Sequence, residues 1–207
     1  MSEIRYVNPP NCGWLECELD SNQIDYVWEC INETNRSWKD KLVGDISDSK
    51  LLEDSNNWFF NNVLLKCCLV YKDVYSNMGS NLPISGGDYP YYMREWWVNY
   101  QQQTEFNPVH THTGVYSFVI WLKIPIDHKE QNKDNTSNAK LRSSFQFTYT
   151  DMLGSIKDYN YNLDKSWEGT MLFFPSQLHH QVYPFYNCDE ERISISGNIL
   201  VNSAKRL

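Results

Sequence analysis

Long apolar runs are missing from this 207-residue chain: no stretch approaches the about 20 apolar residues that a membrane-spanning helix needs. Paired cysteines are missing too. Cys12, Cys17, Cys30, Cys67, Cys68 and Cys188 are scattered with no CxxC among them, which argues against a zinc ribbon or a thioredoxin-like redox pair. The opening "MSEIRYVNPP" lacks the charged-then-apolar pattern of a secretory leader, so the expectation is a soluble cytoplasmic protein with free thiols. Positive charge is in short supply, 18 Lys and Arg against 26 Asp and Glu, and the net charge of −8 argues against nonspecific binding to nucleic acid or an anionic membrane. Histidine is scarce as well, at five residues, which makes the placement of each informative.

Core-forming residues are plentiful. Hydrophobic residues make up 41% of the chain, with eight Trp and fourteen Tyr, which excludes a disordered polymer and provides for a sizeable core. We expect one domain over residues 1–207, with an N-terminal helical portion over about 1–85 and a β-rich core over about 90–202. In "LDSNQIDYVWECINET" Ile24, Val27, Trp28 and Ile31 recur at helical spacing behind Asp20 or Ser21 as an N-cap. A longer helix is expected through "NNWFFNNVLLKCCLVYKDVYSNMG", with Phe59, Phe60, Val63, Leu64, Cys67, Val70, Tyr71 and Val74 as its stripe and Gly79 as its stop. From about residue 90 the chain turns to short aromatic and β-branched runs: "YYMREWWVNYQ", "VYSFVIWLKIP", "LRSSFQFTYTD", "GTMLFFPS" and "RISISGNILVN". Helices followed by a run of strands indicate an α+β protein, its helices packed on the outside of a β-sandwich or jelly roll. The polar stretch 127–140 reads as an exposed loop between strands that could cover the barrel mouth, as could the N-terminal helices.

Residues i and i+2 of a strand share a face, so His110 and His112 in "NPVHTHTG" project side by side and can chelate one ion. Taken alone, such a pair also reads as a solvated strand face. A third ligand is available from His179 or His180, after the strand "GTMLFFPS" ends at Pro175. Three histidines on one face of a metal leave its other positions open. Further on, Arg192 and Ser194 are again two apart, an arginine fork beside a hydroxyl that suits bidentate grip of a carboxylate. Asn99 or Tyr100, in the strand before the HxH pair, could add a hydrogen bond to a bound cosubstrate. Ser117, Trp121, Phe147 and Phe174 are expected to line or support the barrel, and Asn198 is a polar residue on a core strand.

The order HxH, then "GTMLFFPSQLHH", then "RIS" resembles the iron(II)/2-oxoglutarate-dependent oxygenases over roughly residues 90–200, and within them the oxygenases that recur in phages of cyanobacteria. The resemblance implies a double-stranded β-helix, a jelly roll, with iron(II) and 2-oxoglutarate as cofactors and hydroxylation as the reaction. It assigns His110 to the first ligand position, His180 to the distal one, and Arg192 with Ser194 to the 5-carboxylate of 2-oxoglutarate. It leaves His179 turned away from the metal. At residue 112 the superfamily usually has Asp or Glu, whereas this chain has His112. A third imidazole leaves the metal and its ligands at +2 rather than +1, a charge that the 2-oxoglutarate dianion can cancel. The resemblance leaves the substrate as a protein side chain or a small molecule, and a viral source would place the protein in the host cytoplasm. Two alternatives stay open: a cupin-like three-histidine dioxygenase that does not use 2-oxoglutarate, and a noncatalytic jelly-roll binding module.

Overall fold

The structure is a computed structural model and describes residues 5, 11–75 and 89–205. Helix α1 spans Ser21–Glu33 and begins with a reciprocal capping box in which the Asp20 carboxylate accepts from the Gln23 backbone N–H and the Gln23 side chain accepts from that of Asp20. Its apolar positions Val27, Cys30 and Ile31 are buried. The second helix starts with a π-turn over Phe60–Leu64 and continues as α2, Leu65–Tyr75. The Asp54 carboxylate takes the free N–H groups of Phe59 and Phe60 at its start. Phe59, Phe60, Val63, Leu64, Cys67, Cys68 and Tyr71 are buried. Two members of the expected stripe are corrected: Val70 and Val74 are 41% and 59% exposed, because the buried seam passes through the Cys67–Cys68 pair and Tyr71 and leaves them on its outer edge. The expected stop at Gly79 lies outside the described residues.

Among the described residues ten strands follow the expected pattern and add to it: β1 Leu15–Glu18, β2 Asp48–Leu51, β3 Tyr91–Gln101, β4 Asn107–His110, β5 Tyr116–Lys123, β6 Phe145–Thr150, β7 Ile156–Tyr161, β8 Thr170–Pro175, β9 His179–Val182 and β10 Arg192–Val201. They form a six-stranded sheet in the order β1-β8-β5-β10-β3-β2 and a four-stranded sheet in the order β4-β9-β6-β7, antiparallel throughout. From β3 onward the chain alternates between the sheets, the β6–β7 hairpin counting as one visit to the smaller. This winding is the jelly-roll double-stranded β-helix.

Strand alternation divides the larger sheet between two cores. On its outer face Trp96, Val98, Phe118, Ile120, Phe173 and Ile195 pack against α1 and α2. On its inner face Val119, Trp121, Leu172 and Phe174 meet Phe145 and Phe147 of the smaller sheet. Both faces of β5 and β8 are therefore buried, which is why their sequences read as nearly unbroken apolar runs. The inner faces of β3 and β10 are instead polar, carrying Glu95, Asn99 and Gln101 opposite Asn198, Ser194 and Arg192 in register. That row builds one wall of a cavity rather than more core.

The stretch expected as an exposed loop over 127–140 is corrected. It contains a short helix, α3, His128–Asn132, because the Asp127 carboxylate accepts from the N–H groups of Lys129 and Glu130. Asn132 is buried and donates to the Arg142 carbonyl, which pins the segment down.

Candidate metal centre

Residues 107–110 form the edge strand β4, which pairs with β9 so that His110 stands opposite His180. His112 lies just past the end of β4. Its backbone N–H donates to the Ser176 carbonyl at 2.8 Å, and its carbonyl accepts from Gln177, so two bonds fix it beside the strand. Gly114 then turns the chain at φ +127, where a Cβ would stand 2.8 Å from the Ile199 carbonyl oxygen. The three imidazoles consequently face one another. One ring nitrogen from each lies within 4.8 Å of the others, and Nε2 of His180 is 3.2 Å from Nε2 of His112. His179 is exposed on the other face of β9.

Tautomers follow from the backbone. Nδ1 of His110 is 2.7 Å from the Pro108 carbonyl and Nδ1 of His180 is 2.8 Å from the Leu178 carbonyl. A carbonyl only accepts, so each Nδ1 carries the proton and each Nε2 presents its lone pair to the common centre. Burial holds all three histidines below the ordinary range, His112 at about 4 and His180 well below 6.5, the neighbouring imidazoles reinforcing the effect on His112 and His180. Three neutral nitrogen donors converging on a point suit a borderline divalent cation of the first transition row. Phe145, Phe147 and Phe174 surround His180, with ring centroids 5.8, 6.3 and 4.9 Å away, and hold its orientation.

The histidines open into a cavity of about 270 Å³. Arg192 lines it and is 1% exposed. Its Nε and Nη2 donate to Gln101 Oε1 at 3.0 and 2.6 Å, Nη1 to the Ser143 carbonyl at 2.7 Å, and Nη2 to the Tyr183 carbonyl at 3.1 Å. Phe185 lies against the guanidinium at 5.6 Å. Four of the five N–H groups are thereby occupied by neutral acceptors, and no carboxylate is among them. Burial brings its pKa down to about 9. A buried cation so placed in a cavity wall is complementary to an anionic ligand.

Ser194 and Asn99 line the same cavity in register with each other, and Asn99 accepts from the buried Ser49 hydroxyl at 2.8 Å. Tyr100 is corrected: alternation turns it to the outer face, where it packs on the helical core with the Lys50 ammonium 5.2 Å from its ring. Trp121 and Phe174 line the cavity, whereas Ser117 acts one layer behind, donating to Asn198, which in turn donates to Glu95. Sequence reasoning missed Gln101, the clamp on Arg192; its signal was a strand residue of the same parity as Asn99. It also missed the segment around Trp38, Lys41, Leu42 and Ile46, which lines the cavity in place of the 127–140 stretch.

The family described as "Putative 2OG-Fe(II) oxygenase" matches residues 95–198, half of the chain. The chain belongs to this family. Its cofactors are iron(II) and 2-oxoglutarate, and both the histidine donor set and the unbalanced arginine fit them. Among solved structures the oxygenase is similar to a prolyl-4-hydroxylase of Pseudomonas putida, at 14% identity and TM-score 0.53, over 92% of this chain and 94% of that one. It is also similar to an oxidoreductase of the 2OG-Fe(II) oxygenase family from Burkholderia pseudomallei, at 12% identity and TM-score 0.54, over 87% and 80% of the two chains. A third is SnoN, an α-ketoglutarate-dependent epimerase from nogalamycin biosynthesis, at 12% identity and TM-score 0.51, over 91% and 78%. At such identities the likeness is one of fold. No curated protein matches the sequence.

Proposed function

We propose that this oxygenase is a hydroxylase whose iron is held by His110, His112 and His180 and whose 2-oxoglutarate is anchored at its far carboxylate by Arg192 and Ser194. The observation that carries the reading is the pairing of two features in one cavity: three converging imidazole nitrogens, and a buried guanidinium with no acidic partner among the described residues. When bound, iron(II) with 2-oxoglutarate supplies the oxidising power that converts a C–H bond to an alcohol. The residues of the chain do the rest. The Pro108 and Leu178 carbonyls keep two imidazoles in the tautomer that leaves Nε2 unprotonated. Gln101 and the carbonyls of Ser143 and Tyr183 hold the guanidinium in the cavity wall with one Nη1 N–H left for a ligand, while Asn99 and Ser194 offer neutral polar contacts beside it. The aromatic wall of Trp121, Phe145 and Phe174 keeps bulk water from the reacting centre.

The substrate is proposed to be a small molecule or a protein side chain, entering past Trp38 and Lys41. The "FPSQLHH" and "RIS" elements further support a place among the oxygenases of cyanobacterial phages, and the chain is proposed to act as a single cytoplasmic domain. His112 in place of a carboxylate favours a second reading, a three-histidine dioxygenase that does not use 2-oxoglutarate. One titration separates the two. Anaerobic iron(II) protein titrated with 2-oxoglutarate is expected to develop a metal-to-ligand charge-transfer band and, on admission of dioxygen with candidate substrates, to release succinate. Iron-loaded protein with neither band nor succinate would overturn the proposal in favour of the second reading.

A further inference from the structure

Tyr161 is buried on β7, outside the cavity, yet aromatic rings connect it without a gap to the histidine cluster. From His180 the rings of Phe147, Trp14 and Tyr159 follow at centroid spacings of 6.3, 4.7 and 5.1 Å, and Tyr159 is 5.2 Å from Tyr161. A second series runs from His180 to Phe145, Trp121 and Tyr161 at 5.8, 5.6 and 6.4 Å. The two series meet at the Tyr161 phenol. There Trp14 Nε1 donates to the phenolic oxygen at 2.6 Å, and the phenolic O–H donates to Glu16 Oε1 at 2.5 Å. Glu16 is exposed, and Tyr159 is 45% exposed. A buried phenol is thus joined to an acceptor carboxylate that reaches water and to a tyrosine ring that also reaches water.

Packing alone accounts for the rings but not for this end point. Phenylalanine at 161 would fill the same space without burying a hydroxyl that needs both a donor and an acceptor. A tyrosine gives up an electron readily only when its proton has somewhere to go, and a carboxylate at hydrogen-bond distance is such a place. Tryptophan and tyrosine are among the side chains most easily oxidised by one electron, and here they carry both series onward to the surface beyond Phe147 and Phe145.

We propose that Trp14, Trp121 and Tyr161 form an electron relay that drains oxidising equivalents from the histidine centre to the surface when no substrate is bound. This inference rests on the reading of that centre as an oxygenase site. In the relay step Tyr161 gives one electron, by way of Trp121 or Trp14, to an oxidant produced from dioxygen at the centre, and its phenolic proton passes to Glu16. The products are a neutral tyrosyl radical, a protonated Glu16 and an oxidant reduced by one electron. Ascorbate or a thiol at the exposed Tyr159 ring then returns an electron, the proton comes back from Glu16, and the relay is reset. Its function is protective, because the alternative sink for the oxidant is the ring of Trp121, Phe174 or a ligating histidine.

The test uses the full chain loaded with iron(II) and exposed to dioxygen and 2-oxoglutarate without a primary substrate. A second arm supplies a stoichiometric amount of hydrogen peroxide instead. Samples are frozen for electron paramagnetic resonance, mapped for oxidised side chains by mass spectrometry, and assayed for succinate. The expected result is a tyrosyl signal in the wild type that is lost in Tyr161→Phe, which retains the ring. In that variant oxidation moves to Trp121 and the cavity histidines, inactivation is several-fold faster, and ascorbate no longer protects. Glu16→Gln, a surface change that keeps an acceptor but not a base, is expected to lower the radical yield at unchanged fold. Identical oxidation maps and inactivation rates for wild type and Tyr161→Phe in both arms would overturn the relay. Succinate reports separately on the oxygenase reading. Succinate with unchanged maps sinks the relay alone, and a Tyr161-dependent map with peroxide, joined to neither a charge-transfer band nor succinate when candidate substrates are supplied, sinks the 2-oxoglutarate reading alone.

Discussion

Arg192 is a buried cation whose acceptors are an amide oxygen and two backbone carbonyls, so its charge is solvated but not neutralised. Removing it and shortening it have different consequences. Arg192→Met strands Gln101 Oε1 and the carbonyls of Ser143 and Tyr183, and is expected to cost about 3–5 kcal/mol of stability in urea denaturation. Arg192→Lys keeps the charge but loses the planar fork, and 2-oxoglutarate binding is expected to weaken by roughly 1.5–3 kcal/mol, read from the charge-transfer titration. The histidines separate in the same way. His110→Ala and His180→Ala each remove a nitrogen whose partner Nδ1 is already fixed, and are expected to abolish iron retention through desalting, measured by metal analysis. His112→Asp restores a carboxylate that offsets one unit of the metal charge, and is expected to retain iron at least as well as the wild type.

At the scale of elements, the site depends on how β4 ends and β5 begins. Gly114 makes that turn in a backbone conformation that side-chain-bearing residues avoid, against the Ile199 carbonyl. Gly114→Ala is expected to cost about 1–3 kcal/mol in strain and, because His112 hangs on the same turn, to weaken metal binding as well, measured by denaturation and metal titration together. The helix caps are decoupled from the site. Asp20→Ala breaks the capping box of α1 on the far side of the larger sheet, and is expected to cost about 1 kcal/mol in thermal or urea unfolding while iron content stays unchanged. Short aromatic and β-branched runs made the strands β3, β5, β6, β8 and β10 readable, and period-3.6 spacing made α1 readable. The short helix α3 was not, because an Asp cap and the folding back of Asn132 produce it rather than apolar periodicity.

For the whole molecule, the buried histidines tie stability to pH. Each has a folded pKa below the ordinary value near 6.5 of an unfolded chain, so between the two values the unfolded state binds more protons. The metal-free protein is therefore expected to keep its full stability above about pH 6.5 and to lose it as pH falls toward the folded value, about 4 for His112. Unfolding midpoints measured between those limits check this, and His112→Gln should flatten the curve. Iron binds only the folded centre, so saturating metal at 100 times its Kd should add about 2.7 kcal/mol at neutral pH.

The sequence by itself determined α1, the second helix and the strands β3, β5, β6, β8 and β10, because those follow from local spacing and composition. It also supplied the residues with the right chemistry: His110, His112, His180 and Arg192. Tertiary structure alone decided which of those groups meet. It joined β4 to β9 so that His110 faces His180, and it turned Tyr100 away from the cavity while aiming Asn99 and Gln101 into it. It also brought Trp14 across more than half the chain to Tyr161. These outcomes depend on strand pairing and inter-sheet packing between residues far apart in sequence, whose free energies no local window of residues contains.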